Sequence, residues 1–361
     1  MMAFGEKYRV TIFGSSHGPE VGVSIDGIPS GTPVDAAAIQ AELDRRRPVG
    51  RRLATRRQEE DRLVVDAGVV NGRADGTTVR AHVANEDVRR EPYGRLANTP
   101  RPGHADFPAR TRYGPSADLS GGGIFSGRMT VGLVIAGSVA RSMLQRKNVE
   151  IAAFTRSIGP VEATVPDGLP LDRLARSAAE NEVGCPDPQA ARRMEEAIAS
   201  ARRDGDSLGG VVEVRAEGLP VGLGEPFFDS IESVLAHAIF SVPAVKGVEF
   251  GAGFRSARMR GSEHNDPFVW KDGVVRTETN HAGGILGGLA TGMPIVVRVA
   301  VKPTSSIAKP QRTVNLATRE PAELVVTGRH DPCIVPRAVV VLECVTASAL
   351  ADLALRGGFL P

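Results

Sequence analysis

The chain has 361 residues, enough for a sizeable core in one large or two ordinary domains. Lysine and arginine total 44 against 42 aspartates and glutamates, and a net charge of +2 argues against a general nucleic-acid binder, which needs a strong basic excess. One tryptophan and three tyrosines leave no stacking platform for single-stranded nucleic acid.

Tyr8–Phe13 alternates and is β-branched, which predicts a strand. Asp35–Arg47 reads as a helix: Ile39 and Leu43 share one face, and Pro48 stops it. Arg62–Val70 is expected as a strand. Val131–Gln145, apolar nearly all round and rich in alanine and glycine, is expected as a helix buried between layers. Pro188–Arg203 is amphipathic at helical spacing, and Gly210–Ala216 alternates as a strand. Asp229–Phe240 predicts a helix with Asp229 as its cap. Ala244–Phe250 and Ile295–Val301 are expected strands, and Pro336–Leu355 a second buried, alanine-rich helix. Helices of that kind need apolar cover on both sides, so the pattern predicts a layered α+β fold, with helices between antiparallel sheets, in one domain spanning 1–361. No apolar run is expected to reach the length of a membrane span, and the N-terminus lacks a signal-peptide pattern. Three cysteines (Cys185, Cys333 and Cys344) without framework spacing imply a reducing compartment, so a cytoplasmic protein away from membranes is expected.

The chemistry is concentrated in loops. His17 stands in "FGSSHG", just after the first strand, and His104 stands in "RPGHAD", two residues before Asp106 and near Arg101, Arg110 and Arg112. Imidazoles beside glycines and arginines point to proton chemistry on an anionic ligand. Three glycine clusters, "LSGGGIFSG", "GVEFGAG" and "NHAGGILGG", offer close backbone approach to a phosphate or a flat ring. "KPTSSI" adds one cation and three hydroxyls after a strand, as a phosphate holder or a surface turn. In "GRHDPCIVPRA", Asp331 precedes the last helix, where a simple cap is the plainer local reading. "DRRRPVGRRLATRRQEED" packs seven arginines around a helix end, and acidic residues and a Pro/Gly turn fold the run back on itself.

Together these segments resemble the chorismate synthase family. "FGSSHG", "DGIPSG", "LDRRRPVG", "RPGHAD", "GLPVGLGEPFFDSI", "AVKGVEFGAGF", "GSEHND", "TNHAGGILGG", "KPTSSI" and "GRHDPCIVPRA" match in collinear order over nearly the whole chain. The resemblance implies the last step of the shikimate pathway, in which 5-enolpyruvylshikimate-3-phosphate loses phosphate and a ring hydrogen by anti elimination to give chorismate. It implies reduced FMN (FMNH2) as cofactor without net redox change, NADPH as a candidate reductant, and a homotetramer. The implied fold is a β-α-β sandwich of two antiparallel sheets enclosing a central layer of helices.

Carried to this chain, the resemblance makes His17 the acid that helps phosphate leave, and His104 the group that protonates reduced flavin. Asp331 becomes the carboxylate that assists proton removal from substrate. Arg46 and Arg52 match arginines that contact substrate or nicotinamide nucleotide. Ser126, Ala244, Gly287, Lys302, Thr304, Ser305, Ser306 and Arg329 match flavin-contacting positions. One segment departs from the family pattern. In "ADLSGGGIFSGRMT", Ser120 and Ile124 stand where many relatives carry arginine, and Met129 stands for glutamate, with Arg110, Arg112 and Arg128 as candidates to compensate. Two rival readings are a flavin reductase using NADPH that has lost lyase activity, and an arginine-rich anion-binding module. Retention of both His17 and His104 speaks against the first, and the balanced charge against the second.

Overall fold

The computed structural model describes residues 2–47, 60–86, 98–114, 120–166, 168–326 and 331–361. Two five-stranded sheets dominate, and every strand pairing in them is antiparallel. The first sheet has the order Ala3–Phe4, Arg9–Gly14, Glu20–Asp26, Val79–Ala84, Leu63–Ala67. The second has the order Val245–Phe250, Ile295–Val301, Gly210–Glu217, Glu150–Ile158, Val161–Glu162. The alternation read in Ile295–Val301 is real: Ile295, Val297, Val299 and Val301 are buried and the residues between them are half-buried.

Two helices form the middle of the core. Thr130–Gln145 packs on the first sheet, Val335–Arg356 packs on the second, and the two pack on each other. Their small residues explain how closely they approach. A Cβ on Gly137 would fall 2.2 Å from Cys344 Cβ, so only glycine permits this crossing. On the sheet side, a Cβ on Gly132 would sit 2.9 Å from the Gly22 carbonyl oxygen. The apolar composition seen in the sequence is therefore a packing requirement on both sides of each helix.

The sequence expectations need three adjustments. The Val335–Arg356 helix is long and apolar enough to cross a membrane, with 22 residues and a window of mean hydropathy 1.9, but 94% of that window is buried within the protein. The Arg62–Val70 strand is broken at Gly68, whose φ of 79° turns the chain, so Val69–Val70 pairs instead with Arg73–Ala74 in a small hairpin. The Asp229–Phe240 helix begins at Ile231, and its cap is Ser230, whose hydroxyl accepts from Ser233 N–H at 3.1 Å. Asp229 comes one residue too early. It closes a 3-10 turn at Phe227–Asp229 and pairs with Arg356 at 3.0 Å.

Candidate active site

His17 follows the Arg9–Gly14 strand and is half-buried, with Nδ1 3.0 Å from the Ser16 hydroxyl. Ser16 is fully buried, and its N–H donates to the Gly123 carbonyl at 3.4 Å. The loop is held from its far side as well: Asn85 Nδ2 donates to the carbonyls of Ser15 (3.0 Å) and Gly18 (2.8 Å). The triple-glycine segment thus lies directly against the His17 loop.

The same segment borders His104. A Cβ on Gly122 would lie 3.4 Å from His104 Nε2 and 3.5 Å from Ser126 Cβ, so the glycine keeps this wall open. His104 Nδ1 faces Asp106 Oδ1 at 2.6 Å. Arg101 closes the group. Its Nε and Nη2 donate to the two Asp106 oxygens at 2.7 Å each, and Nη2 lies 3.0 Å from His104 Nδ1. Burial by itself raises the Asp106 carboxyl, but hydrogen bonds from Arg101 and His104, and their charges, outweigh it and hold its pKa well below the usual carboxylate range. Arg101 also reaches the Ser306 hydroxyl at 3.4 Å.

That contact joins His104 to "KPTSSI". Lys302 Nζ donates to the Gly103 carbonyl, and a Cβ on Gly103 would meet Ser305 Cβ at 3.4 Å. Ala244, in the left-handed region at φ 74°, accepts from Lys302 N–H at 2.9 Å. Burial, and then the charge of Lys246, hold the Lys302 ammonium below the usual lysine range. Two cations that repel each other favour an anion between or beside them, and hydroxyls at Ser305 and Ser306 complete a donor set suited to phosphate. Thr304 ties this strap to Asp331, with its hydroxyl donating to the Asp331 carbonyl at 2.7 Å.

Asp331 is buried, and its carboxylate accepts from Arg337 Nη1 at 2.5 Å. The last helix begins at Val335 with Ile334 before it and no side-chain cap, so Asp331 is not a cap. Arg337 Nε in turn donates to the Arg46 carbonyl at 3.2 Å. Arg46 itself is interior. Its guanidinium donates to Thr130 Oγ1 (3.0 Å), Asp61 Oδ2 (3.0 Å) and the Gly127 carbonyl (3.3 Å). Arg128 takes the other Asp61 oxygen and also donates to Asn85 Oδ1 at 2.9 Å and the Ala84 carbonyl at 3.1 Å.

The structure therefore brings His17, His104, Asp331, Arg46, Ser126, Ala244, Lys302, Thr304, Ser305 and Ser306 into one connected neighbourhood. Gly287 is joined to it by no contact among the described residues. It sits at φ 61° in the turn between Ile285–Leu286 and Leu289–Ala290, with open space where a Cβ would be. Arg52 and Arg329 lie outside the described residues. The "GVEFGAG" and "NHAGGILGG" clusters pack on each other: a Cβ on Gly251 would fall 2.2 Å from the His281 carbonyl oxygen. Gly251 and Gly283 serve that close approach. Arg128, a candidate replacement for the missing arginine, is committed to Asp61, while Arg110 donates to Asn98 at 3.2 Å and Arg112 lies beside the Tyr113 ring.

Sequence reasoning missed Asn85, Asp61 and Arg337 as parts of this neighbourhood. Asp61 left a signal as the acidic end of the arginine run that folds back, and Arg337 stands within "GRHDPCIVPRA", six residues after Asp331; Asn85 is adjacent to the site only in space.

Loop imidazoles, a lysine–hydroxyl strap and a glycine wall are groups suited to acid–base chemistry on an anionic ligand. The family model described as chorismate synthase matches residues 8–355. The chain is 49% identical over 353 residues to the chorismate synthase of Korarchaeum cryptofilum, covering 98% of this chain and 97% of the relative. It is 50% identical over 352 residues to that of Thermococcus gammatolerans, with coverage of 98% and 97%. A crystal structure of chorismate synthase superposes with a TM-score of 0.79 at 28% identity, over 98% of this chain and 93% of that one. The chain belongs to the chorismate synthase family.

Proposed function

We propose that this site carries out the family's elimination on 5-enolpyruvylshikimate-3-phosphate, with His17, His104 and Asp331 as its proton-handling groups. Family membership makes the protein a phosphate-eliminating lyase of the shikimate pathway. The observation that carries the residue assignment is the triple-glycine segment, which bonds the His17 loop through the Gly123 carbonyl and leaves room for the His104 ring at Gly122, where a Cβ would lie 3.4 Å from Nε2.

Lys302, Ser305 and Ser306 are the residues suited to hold the phosphate of FMN, because they supply a cation and hydroxyl donors beside a glycine wall. The chemistry that reduced FMN would supply here is electron density for breaking the carbon–oxygen bond to phosphate. His17 donates a proton to the departing phosphate oxygen. Asp331, oriented by Arg337, assists removal of the ring proton. His104 is oriented through Nδ1 by Asp106, which leaves Nε2 beside Gly122 to hold or pass a proton toward the cofactor. NADPH is the candidate reductant.

The sheet–helix–sheet order is read as one domain, a β-α-β sandwich with its helices enclosed. The homotetramer is supported by apolar side chains in solvent: Phe227, Phe228, Phe254 and Trp270 are each at least 79% exposed, and copies of the chain would cover them. Three buried free thiols suit a cytoplasmic setting.

The deciding experiment is anaerobic phosphate release from 5-enolpyruvylshikimate-3-phosphate with chemically reduced FMN. Turnover that requires both substrate and reduced flavin is expected. No phosphate release from protein shown to bind FMN would overturn the reading.

A further inference from the structure

Asp61 is a residue that the arginine run alone does not single out. It is 2% exposed and sits in the left-handed region at φ 47°, a conformation that a non-glycine residue holds only when its surroundings over-determine it. Its two carboxylate oxygens are divided between two interior guanidiniums: Oδ2 accepts from Arg46 and Oδ1 from Arg128. Arg46 is 2% exposed and Arg128 5%. Three charges in so little water cost desolvation, and apolar side chains of similar volume stabilise a fold as well or better. What the ion triplet adds is direction, because planar guanidiniums hold fixed angles to every partner they meet.

Those partners are the segments of the site. Arg46 donates onward to Thr130 and to the Gly127 carbonyl, which lie in the turn after Ser126. Arg128 donates onward to Asn85, and Asn85 donates to Ser15 and Gly18 on both sides of His17. The Arg46 carbonyl accepts from Arg337, the residue that holds Asp331.

We propose that Asp61 is a positioning residue of this site. It locks Arg46 and Arg128 into one rigid triplet and, through Arg128 and Asn85, sets the place of the His17 loop against the Ser126–Thr130 turn. The proposal rests on the reading of His17 as an acid only for its effect on rate; the mechanical link from Asp61 to His17 stands on the contacts alone.

Asp61→Asn keeps shape and removes the charge that two arginines share. The inference is tested first without substrate, by NMR of histidine ring resonances in the full-length protein, with His17 assigned through His17→Asn. The His17 resonances are expected to move in Asp61→Asn, whereas those of His237, in the Ile231–Phe240 helix beside the Phe4 ring, stay. Unmoved His17 resonances overturn the proposal, whatever the protein catalyses. In anaerobic turnover per folded protein, kcat is expected to fall about tenfold to a hundredfold, the scale of a misplacement near 1 Å. The affinity for oxidised FMN, read by absorbance titration, should fall less than kcat does, because Lys302 and its hydroxyls lie outside the triplet and only Ser126 adjoins the turn that it holds. Loss of FMN affinity and melting temperature with unchanged kcat and unmoved His17 would mark Asp61 as scaffold only. If Asp61→Asn does not fold, Asn85→Ala decides: it cuts the same link next to the His17 loop, and an unshifted His17 signal there overturns the proposal. An inactive parent protein would count against the proposed reaction, while the NMR result would still stand on its own.

Discussion

Two aspartates in this protein each hold cations at close range, and they do different work. Asp61 divides its oxygens between Arg46 and Arg128, all three buried. Asp106 faces Arg101 and His104, with the histidine side chain 19% exposed. Arginine does not release its proton in proteins, whereas imidazole does so near neutrality. The first cluster is therefore a fixed joint. The second pairs a fixed cation with a partly exposed imidazole, and it lies beside Gly122. Burial and partner chemistry, rather than the aspartate itself, separate the buried joint from the partly exposed cluster.

The largest expected effect comes from breaking the fixed joint. Arg46→Ala leaves half of a buried carboxylate uncompensated, and removing one partner of a buried pair costs about 3–5 kcal/mol. Chemical denaturation with unchanged slope and a much lower midpoint is expected. A midpoint within error of the parent would show that Arg46 is not interior in solution.

Next comes the exchangeable cluster. His104→Ala should melt near the parent temperature, because the ring is partly exposed and in a loop, and lose on the order of a hundredfold in turnover. Early melting would place His104 with the scaffold, and parental turnover would remove its proton-handling role.

The smallest effect is the most specific. The Asp106 carboxyl is held below its usual range in the folded state, so its contribution to stability is complete above the unfolded carboxylate pKa of about 4 and is withdrawn as pH falls toward the depressed folded value. Asp106→Asn should therefore be less stable than the parent at pH 7, by about 1.5–3 kcal/mol for the charge-assisted bonds lost. The gap between the two should narrow as the pH drops below about 4. Melting curves of both proteins at several pH values test this, and a gap independent of pH would mean that packing, not charge, holds the cluster.

The sequence was enough to mark most of the major elements. Period and composition located the Pro188–Arg203 and Thr130–Gln145 helices and the Ile295–Val301 strand nearly to the residue, because burial on one or all faces leaves a repeat in the residues themselves. The motifs likewise singled out His17, His104, Lys302 and Asp331, which the fold gathers into one neighbourhood. Tertiary structure alone decided which charges were structural. Helical spacing sets Arg46 of "DRRR" on the Ile39–Leu43 face and Arg45 off it, but only the fold supplies Asp61, the partner that lets Arg46 be interior while the Arg45 side chain is 43% exposed. Nor does any pattern in the chain join Asn85 to Ser15, a pair separated by 70 residues. An ion pair or a side-chain bond between distant segments leaves no periodic trace, because it depends on where folding brings two single residues and not on any repeat around them.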